Sequence, residues 1–310
     1  MKKTLIIILL LLLFLPGFVF GQEIVVVMDA ERPPYLQALK GFTKACYCLP
    51  TSTSGVKSIH TFTSHQVILG NRSTKETIAN IRSFQPDLIL AMGYQGLEVA
   101  VQVPDVPIIY LLVANPNRIV GQRDNITGIE LRLPATLQLQ TMHKHLPDMK
   151  RLGVIYNQKR TGKLIAEAQK AAQDNAISLV ALPMRKKDKF SELLKVIQKE
   201  KIDAFWMIPD ITILSPTTLH DLLLFSLEKK IPLITFANRF LQQGAAISIT
   251  FDMQAIGVQA GEIALSVLDG TPIADIPPQA AKKATVKGNK KIIKKLGINF
   301  NKPKQTEGAP

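Results

Sequence analysis

Cysteine, tryptophan and histidine are all scarce in this chain. Its 310 residues include two cysteines, one tryptophan and five histidines. Cys46 and Cys48 are separated by one residue, so a bridge between them would be strained and would not join distant segments. We interpret them as buried thiols at the end of a helix, and a fold stapled by disulfides is excluded.

The scarcity of these residues also argues against a metal site. A CxC motif needs further ligands to complete a coordination sphere, and the histidines are scattered along the sequence. His143 and His145 are two positions apart, which places them on opposite faces of a helix. We therefore predict neither a metal nor any other cofactor.

Acidic residues are few compared with basic ones. The sequence has 38 Lys and Arg against 24 Asp and Glu, a formal net charge of +14. A basic excess can indicate nucleic acid or anionic membrane as a partner, but no nucleic-acid recognition motif is present. The positive residues are dispersed, with local density at 185–189, 282–283 and 287–295. We interpret them as solvated helix faces and a basic tail and predict no nucleic-acid partner; attraction of anionic ligands stays an alternative.

Recognisable catalytic motifs are missing. The sequence contains no GxSxG, no HExxH, no P-loop and no cysteine with an evident partner histidine. We therefore do not expect an enzyme. A hydrolase whose residues are spread along the chain remains the alternative.

Long apolar runs are absent except at the start. Lys2 and Lys3 precede the apolar run Leu5–Leu15, and small residues at Val19 and Gly21 suit cleavage before Gln22. This layout predicts a signal peptide over residues 1–21 and hence a periplasmic protein. The run is about half of the roughly 20 residues that a membrane-spanning helix needs. An uncleaved membrane anchor is the alternative. A lipoprotein is not expected, because there is no cysteine near the cleavage site.

The remaining sequence alternates short apolar runs with amphipathic stretches. The runs predict strands at 24–28, 59–63, 88–92, 106–113, 152–156, 178–182, 204–208, 233–236 and 246–251. Continuous apolar runs are typical of parallel strands buried on both faces. Two such series, joined by a crossover at 125–131, predict an α/β protein with two doubly wound parallel-sheet lobes.

Several predicted strands end in short polar segments. They read MDAERPPY, MGYQ, VANPN, YNQK, IPDIT and FANRF. Ligands of open parallel sheets bind at the carboxyl ends of the strands. None of these segments resembles a catalytic constellation, so the pattern favours a protein that holds a small molecule.

An ordered set of segments carries a family resemblance. The segments are QPDLILAMGYQ, VPIIYLLVANP, NITGIE, LPDMKRLGVIYN, DAFWMIPDITIL, KKIPLITFANRFLQQGAAISITFDMQAIGVQAGEIALSVLDG and KKATVKGNKKIIKKLGI. Together they resemble the exported substrate-binding proteins of ABC transporters, in the group that includes tryptophan- and tyrosine-binding members. The resemblance covers almost all of the mature chain.

This resemblance implies a type-I periplasmic-binding fold with a cleft between two lobes. It implies three crossovers, near 125–128, 250–253 and 275–278. Lobe one is then expected to contain residues 22–126 and 253–275, and lobe two residues 127–251 and 277–303. The implied mechanism is hinge closure of a monomer around a small-molecule ligand, followed by recognition by a membrane permease. A sensor that docks on a membrane receptor or kinase is the alternative.

The resemblance also implies which positions form the ligand site. The candidates are strand-end residues, extended by charged residues after the first strand and at a crossover: Asp29, Glu31, Tyr94, Gln95, Ala114, Asn115, Tyr156, Asn157, Asp210, Thr212, Ala237, Asn238 and Asp252. A carboxylate such as Asp210 suits a ligand ammonium.

Three of the loops depart from the family pattern. Ala114-Asn115-Pro116 stands where relatives carry Thr-Asp-Pro, and Asp210-Ile211 replaces an Asp-Asn pair. The residues at 158–161 are Gln-Lys-Arg-Thr instead of a small loop with Gly and Ser. The ligand is therefore left open between an aromatic amino acid, another amino acid and a purine-like or other small polar molecule. An anionic ligand, which Lys159 and Arg160 would attract, is a further alternative.

Overall fold

The computed structural model describes residues 21–48, 62–70, 72–185, 188–211 and 214–301. Apart from Gly21, the predicted signal peptide lies outside this part of the chain. The described residues form two compact units. One contains the residues up to Ile129 together with Gly257–Pro278, and the other contains Glu130–Ile256 and the residues from Gln279 onward. The chain thus passes from unit to unit three times.

Strands and helices alternate along the described chain. In order they are β1 Gln22–Met28, α1 Pro33–Cys48, β2 Phe62–Ile68, α2 Thr74–Ser83, β3 Leu88–Met92, α3 Tyr94–Ala100, β4 Ile108–Leu111, α4 Asn117–Val120, β5 Ile126–Glu130, α5 Ala135–His145, β6 Arg151–Tyr156 and α6 Gln158–Asp174. They continue with β7 Ser178–Pro183, α7 Phe190–Lys199, β8 Ala204–Trp206, α8 Pro216–Lys229, β9 Leu233–Thr235, α9 Arg239–Gln242, β10 Ile247–Phe251, α10 Met253–Leu268, a 3-10 turn Ile273–Asp275, β11 Gln279–Ala280, β12 Ala284–Gly288 and α11 Lys290–Leu296.

The first sheet has the strand order β11-β5-β4-β3-β1-β2. Strands β1 to β5 pair in parallel. From β1 the chain first runs to β2 on one side and then crosses to β3 on the other, so the topological switch point lies between β1 and β3. Ile24–Met28 and Leu88–Met92 are at most 1% exposed, which explains their continuous apolar sequences.

The second sheet repeats this arrangement with the order β12-β10-β9-β8-β6-β7. Its strands are parallel except β12, which pairs antiparallel with β10. By position in the sheet β6 corresponds to β1 and β8 to β3, so the second switch point lies between β6 and β8. The predicted α/β architecture of two doubly wound parallel sheets is confirmed.

Strand β2 differs from the sequence-based prediction. It was expected at 59–63 but extends over Phe62–Ile68, and residues 59–61 lie outside the described residues. Only Phe62 and Val67 of this edge strand are buried, so it has no apolar run to detect. Its polar His65 is accommodated because Nε2 lies 2.7 Å from Glu23 Oε2 and the ring stacks on Phe84 with centroids 4.0 Å apart.

Two helices of the first unit approach each other through glycine. A Cβ atom at Gly257 of α10 would overlap the carbonyl oxygen of Ala38 in α1 and lie 2.8 Å from the backbone nitrogen of Phe42. One turn later, a Cβ at Gly261 would lie 2.5 Å from the Cβ of Ala45. The two backbones are therefore in direct contact, and nothing larger than hydrogen fits at these positions.

The helix α1 also contains Cys46, which is a free, buried thiol. Burial raises its pKa to about 12. This confirms the interpretation of Cys46 as a buried thiol near a helix end. The side chain of Cys48 lies outside the described residues, as does its pairing.

The described chain ends beside α5. The backbone nitrogen of Asn301 donates to the carbonyl of His145 at 3.0 Å, and its side-chain amide donates to the carbonyl of Lys144 at 3.1 Å. These bonds fasten the last described residue to the second unit. Within the described ranges, no helix is long and apolar enough to cross a membrane.

Candidate functional site

The carboxyl ends of the parallel strands form one edge of each sheet, and most predicted site residues lie on these edges. In the first unit β1 and β3 pair in register at Met28 and Met92. Asp29 and Gly93 therefore follow them side by side, and the Asp29 nitrogen donates to the Met92 carbonyl at 3.3 Å. The switch point, where ligands of open sheets bind, is flanked by these two residues.

Asp29 connects the two loops of this switch point. Its Oδ1 accepts a hydrogen bond from the backbone nitrogen of Gly96, in the first turn of α3, at 2.5 Å. Its carboxylate also bonds the hydroxyl of Tyr35 in the first turn of α1. Burial, followed by the negative charge of Asp29, raises the pKa of the Tyr35 phenol above its ordinary value.

Gly93 makes this arrangement sterically possible. Its φ of 89° lies in the left-handed region, and a Cβ there would overlap the Asp29 carboxylate and the Tyr35 hydroxyl. The next two residues, Tyr94 and Gln95, are exposed at the start of α3. Because Gly93 holds the turn, these two side chains are presented at the carboxyl edge.

A pocket of about 570 Å³ opens at this edge of the first unit. Its polar lining includes Tyr94 and Gln95 together with Arg72, Thr74 and Arg118. Both arginines are exposed. The lining also includes the carboxylate of Glu98. The pocket thus combines an aromatic side chain, amide and hydroxyl groups and charges of both signs, which suits a small polar ligand with charged groups.

The other candidates of the first unit are surface residues. Ala114 and Asn115 are exposed after β4, and Asn115 adopts a left-handed φ of 52° immediately before Pro116 and α4. Glu31 is exposed in the loop before α1. These residues lie at the same edge as Tyr94, one strand or loop away.

In the second unit Asp210 has the central position. It follows β8 and is 1% exposed. Its Oδ2 accepts hydrogen bonds from the backbone nitrogen of Asn157 at 2.9 Å and from Oγ1 of Thr161 at 2.7 Å. Asp210 therefore joins the loop after β8 to the start of α6, the helix that follows β6.

Tyr156 is the last residue of β6, and Asn157 lies between β6 and α6. The Tyr156 hydroxyl donates to Oε1 of Gln158 at 2.8 Å. The side-chain oxygen of Asn157 accepts from the Lys159 nitrogen at 3.0 Å, so Asn157 is the N-cap of α6. The structure thus brings Tyr156, Asn157 and Asp210 together at one switch point.

The remaining candidates have local structural partners. Ala237 and Asn238 follow β9, and the Asn238 side-chain oxygen accepts from Ser248 Oγ at 2.6 Å. Asp252 caps α10 by accepting from the Ala255 nitrogen at 3.0 Å and lies 3.6 Å from the Lys283 ammonium. Thr212 lies outside the described residues.

Comparison with known proteins decides the family. A family model described as ABC transporter substrate binding protein matches residues 23–304. The chain belongs to this family. Among curated proteins, this substrate-binding protein is 25% identical over 279 residues to a tyrosine-binding protein from Clostridioides difficile (strain R20291), which covers 86% of this chain and 79% of the relative.

A solved structure supports the fold of this substrate-binding protein. The ligand-free, open structure of a substrate-binding protein with adhesive properties from Clostridium difficile superposes with a TM-score of 0.61. It covers 92% of this chain and 97% of its own, at 19% sequence identity. The type-I periplasmic-binding fold that the sequence predicted is thereby confirmed.

Two residues near the switch points of the substrate-binding protein were not identified from the sequence. Tyr35 and Thr161 both lie in the first turn of the helix that follows the first strand of their sheet, and both bond an aspartate of the switch point. A hydroxyl at the same place in both units is the signal that sequence reasoning overlooked. In the described part of the chain, no group of three or more His, Cys, Asp or Glu residues is arranged to hold a metal ion.

Proposed function

We propose that this substrate-binding protein is exported and delivers a small organic molecule, most simply an amino acid, to the permease of an ABC importer. Support for export comes from the predicted signal peptide over residues 1–21. Support for an amino acid comes from the curated relative, which is named a tyrosine-binding protein. In this proposal the protein acts as a monomer and returns its ligand chemically unchanged.

The observation that carries the proposal is the polar, aromatic edge at each switch point. Tyr94 and Gln95 start α3 in the first unit, and Tyr156 and Asn157 lead into α6 in the second. Each pair combines an aromatic ring, which packs against an apolar ligand surface, with an amide group that hydrogen-bonds polar atoms. Asn115, Asn238 and the backbone at Ala114 and Ala237 extend these edges.

Ligand capture is proposed to occur by hinge closure. The lobes of this movement are residues 22–126 with 253–275 and residues 127–251 with 277–303, and the hinges are the three crossovers. A ligand that contacts both lobes stabilises the closed form by its differential affinity for that form. The permease then recognises the closed form in preference to the open one.

A thermal-shift screen tests this proposal. The mature chain, Gln22–Pro310, is unfolded and refolded to release carried-over ligand and then mixed with amino acids, nucleobases, sugars and organic anions. A ligand at one hundred times its Kd stabilises the folded state by about 2.7 kcal/mol. That corresponds to a rise in Tm of roughly 5–10 °C for a protein of this size.

The expected result is saturable stabilisation by one class of compound, with L-tyrosine and L-tryptophan as the first probes. Calorimetry then gives the stoichiometry and Kd, and chromatography of the released ligand shows whether it is unchanged. A folded protein that is stabilised by none of the classes contradicts the transport proposal. A chemically altered ligand contradicts the expectation that the protein is not an enzyme.

A further inference from the structure

A carboxylate ties the two loops of the switch point together in each unit. In the first unit Asp29, after β1, reaches the first turn of the helix after β3 by its bond to Gly96. In the second, Asp210, after β8, reaches the start of the helix after β6 by its bond to Asn157. Because β1 corresponds to β6 and β3 to β8, the same pair of loops is joined from opposite sides.

A hydroxyl completes each connection. Tyr35 bonds Asp29 from the first turn of α1, and Thr161 bonds Asp210 from the first turn of α6. We call each set of carboxylate, backbone amide and hydroxyl a brace: Asp29, Gly96 and Tyr35 in the first unit, and Asp210, Asn157 and Thr161 in the second. Because the carboxylate belongs to one loop and its amide partner to the other, each brace restrains both of its loops.

The hydrogen bonds of Asp210 show which groups its carboxylate contacts. Both the Asn157 amide and the Thr161 hydroxyl donate to the same oxygen, Oδ2, at 2.9 and 2.7 Å, and the residue is 1% exposed. This carboxylate is directed at the protein's own loop. Its neighbours Tyr156 and Asn157 are the groups that the loop carries to the edge.

We propose that Asp29 and Asp210 are positioning residues, which hold the loops at residues 93–96 and 156–161 in the geometry that receives the ligand. This inference rests on the proposed function, because it assigns these loops to the ligand site. It differs from the expectation that Asp210 pairs directly with a ligand ammonium. A loop that is held before the ligand arrives loses less conformational entropy on binding, which strengthens binding.

The opposite edge of the same sheet provides a matched control. Asp203 precedes β8, and its Oδ2 accepts backbone bonds from Lys150 at 2.9 Å and Arg151 at 2.8 Å. It therefore resembles Asp210 in bonding two donors through one oxygen, but it lies at the amino ends of the strands. Asp203 is exposed, so its loss removes two backbone bonds without leaving a buried cavity, far from the proposed ligand edge.

The test compares Asp210→Ala, Asp210→Asn and Asp203→Ala by calorimetry with L-tyrosine and L-tryptophan, at a temperature where all three variants are folded. An asparagine oxygen at the Oδ2 position accepts both bonds but carries no charge. If Asp210 positions the loop, Asp210→Ala weakens binding at least about tenfold, whereas Asp210→Asn stays within about threefold of the wild type. Asp203→Ala lowers Tm and leaves the affinity unchanged.

Two results would overturn the inference. Equal losses of affinity in Asp210→Asn and Asp210→Ala would mean that the charge itself meets the ligand. Equal losses in Asp203→Ala and Asp210→Ala would mean that both carboxylates act only through general stability.

Amide hydrogen exchange tests the brace in the absence of any ligand. Asp210→Ala should accelerate amide exchange over residues 157–161, while Asp210→Asn retains the protection of the wild type. If the wild type binds neither amino acid, the proposed function fails for these probes, and hydrogen exchange alone tests the brace. Faster amide exchange over residues 157–161 in Asp210→Ala then supports the brace, and unchanged exchange refutes it. In the first unit, Asp29→Ala should accelerate exchange over residues 93–96 in the same way.

Discussion

Replacing Gly257 by alanine should destabilise the first unit, although alanine is the better helix former. A Cβ at this position overlaps the Ala38 carbonyl oxygen and lies 2.7 Å from the Ala38 carbonyl carbon, where ordinary contact begins at 3.4 Å. The obstacle is backbone, which no rotamer change can move away. The carbonyl carbon alone requires α1 and α10 to separate by about 0.7 Å, and the overlap with the oxygen requires a larger separation, which disturbs packing along both helices.

The magnitude follows from two opposing contributions. Overpacking of a tight contact costs about 3 kcal/mol at the upper end of the usual range, and the higher helix propensity of alanine returns about 1 kcal/mol. The net loss of about 2 kcal/mol should lower the Tm of the first unit by roughly 4–8 °C. Thermal unfolding followed by circular dichroism measures this shift in the ligand-free protein.

Gly162→Ala in α6 is the matched control for this experiment. A Cβ at Gly162 meets only the flexible end of Gln158, at 3.0 Å from its side-chain nitrogen. This substitution should leave Tm unchanged or raise it by a few degrees, because the gain in helix propensity is not offset by a clash with backbone atoms. If Gly257→Ala is as stable as Gly162→Ala, the close approach of α1 and α10 is refuted.

Three further predictions follow from the structure. Tyr94→Ala should weaken ligand binding about tenfold with little change in Tm, since this side chain is 42% exposed; an unchanged Kd in calorimetry would remove Tyr94 from the site. Ser73→Ala should lower the free energy of unfolding by about 1 kcal/mol in urea titration, because it breaks the capping box with Glu76; an equal midpoint would contradict this. In a Cys48→Ser variant, Cys46 should resist iodoacetamide at pH 8 until the protein is unfolded, because its pKa is raised to about 12 and it is buried; mass spectrometry of the native protein would expose rapid labelling if the reasoning fails.

The interior strands could be predicted from the sequence because burial on both faces requires a continuous apolar run. β1 and β3 are continuous apolar runs, and their predicted positions agree closely with the structure. The edge strand β2 has no such apolar run, since its exposed positions carry Thr63, Ser64 and Gln66. The four-residue helix α4 was also overlooked, because one turn is too short for a periodic pattern to emerge.

The edge positions of the site were predictable, but their connections were not. Asp29 and Asp210 stood out as charged residues after apolar runs. Apart from Tyr35, which follows Asp29 closely in the sequence, their bonding partners are 67, 53 and 49 positions away, and nothing local links an aspartate to a distant amide or hydroxyl. Only the strand order, which places β1 beside β3 and β6 beside β8, brings these groups together.

The three passages of the chain between its units have a consequence for biosynthesis. The first unit needs Gly257–Pro278, and the second needs the segment from Gln279 onward, which supplies β12 as the last strand of its sheet. Neither unit can therefore finish folding on the ribosome before most of the chain has been made. Under the proposed export, a chain that stays incompletely folded until these late segments have been made would still be extended when it reaches a membrane channel.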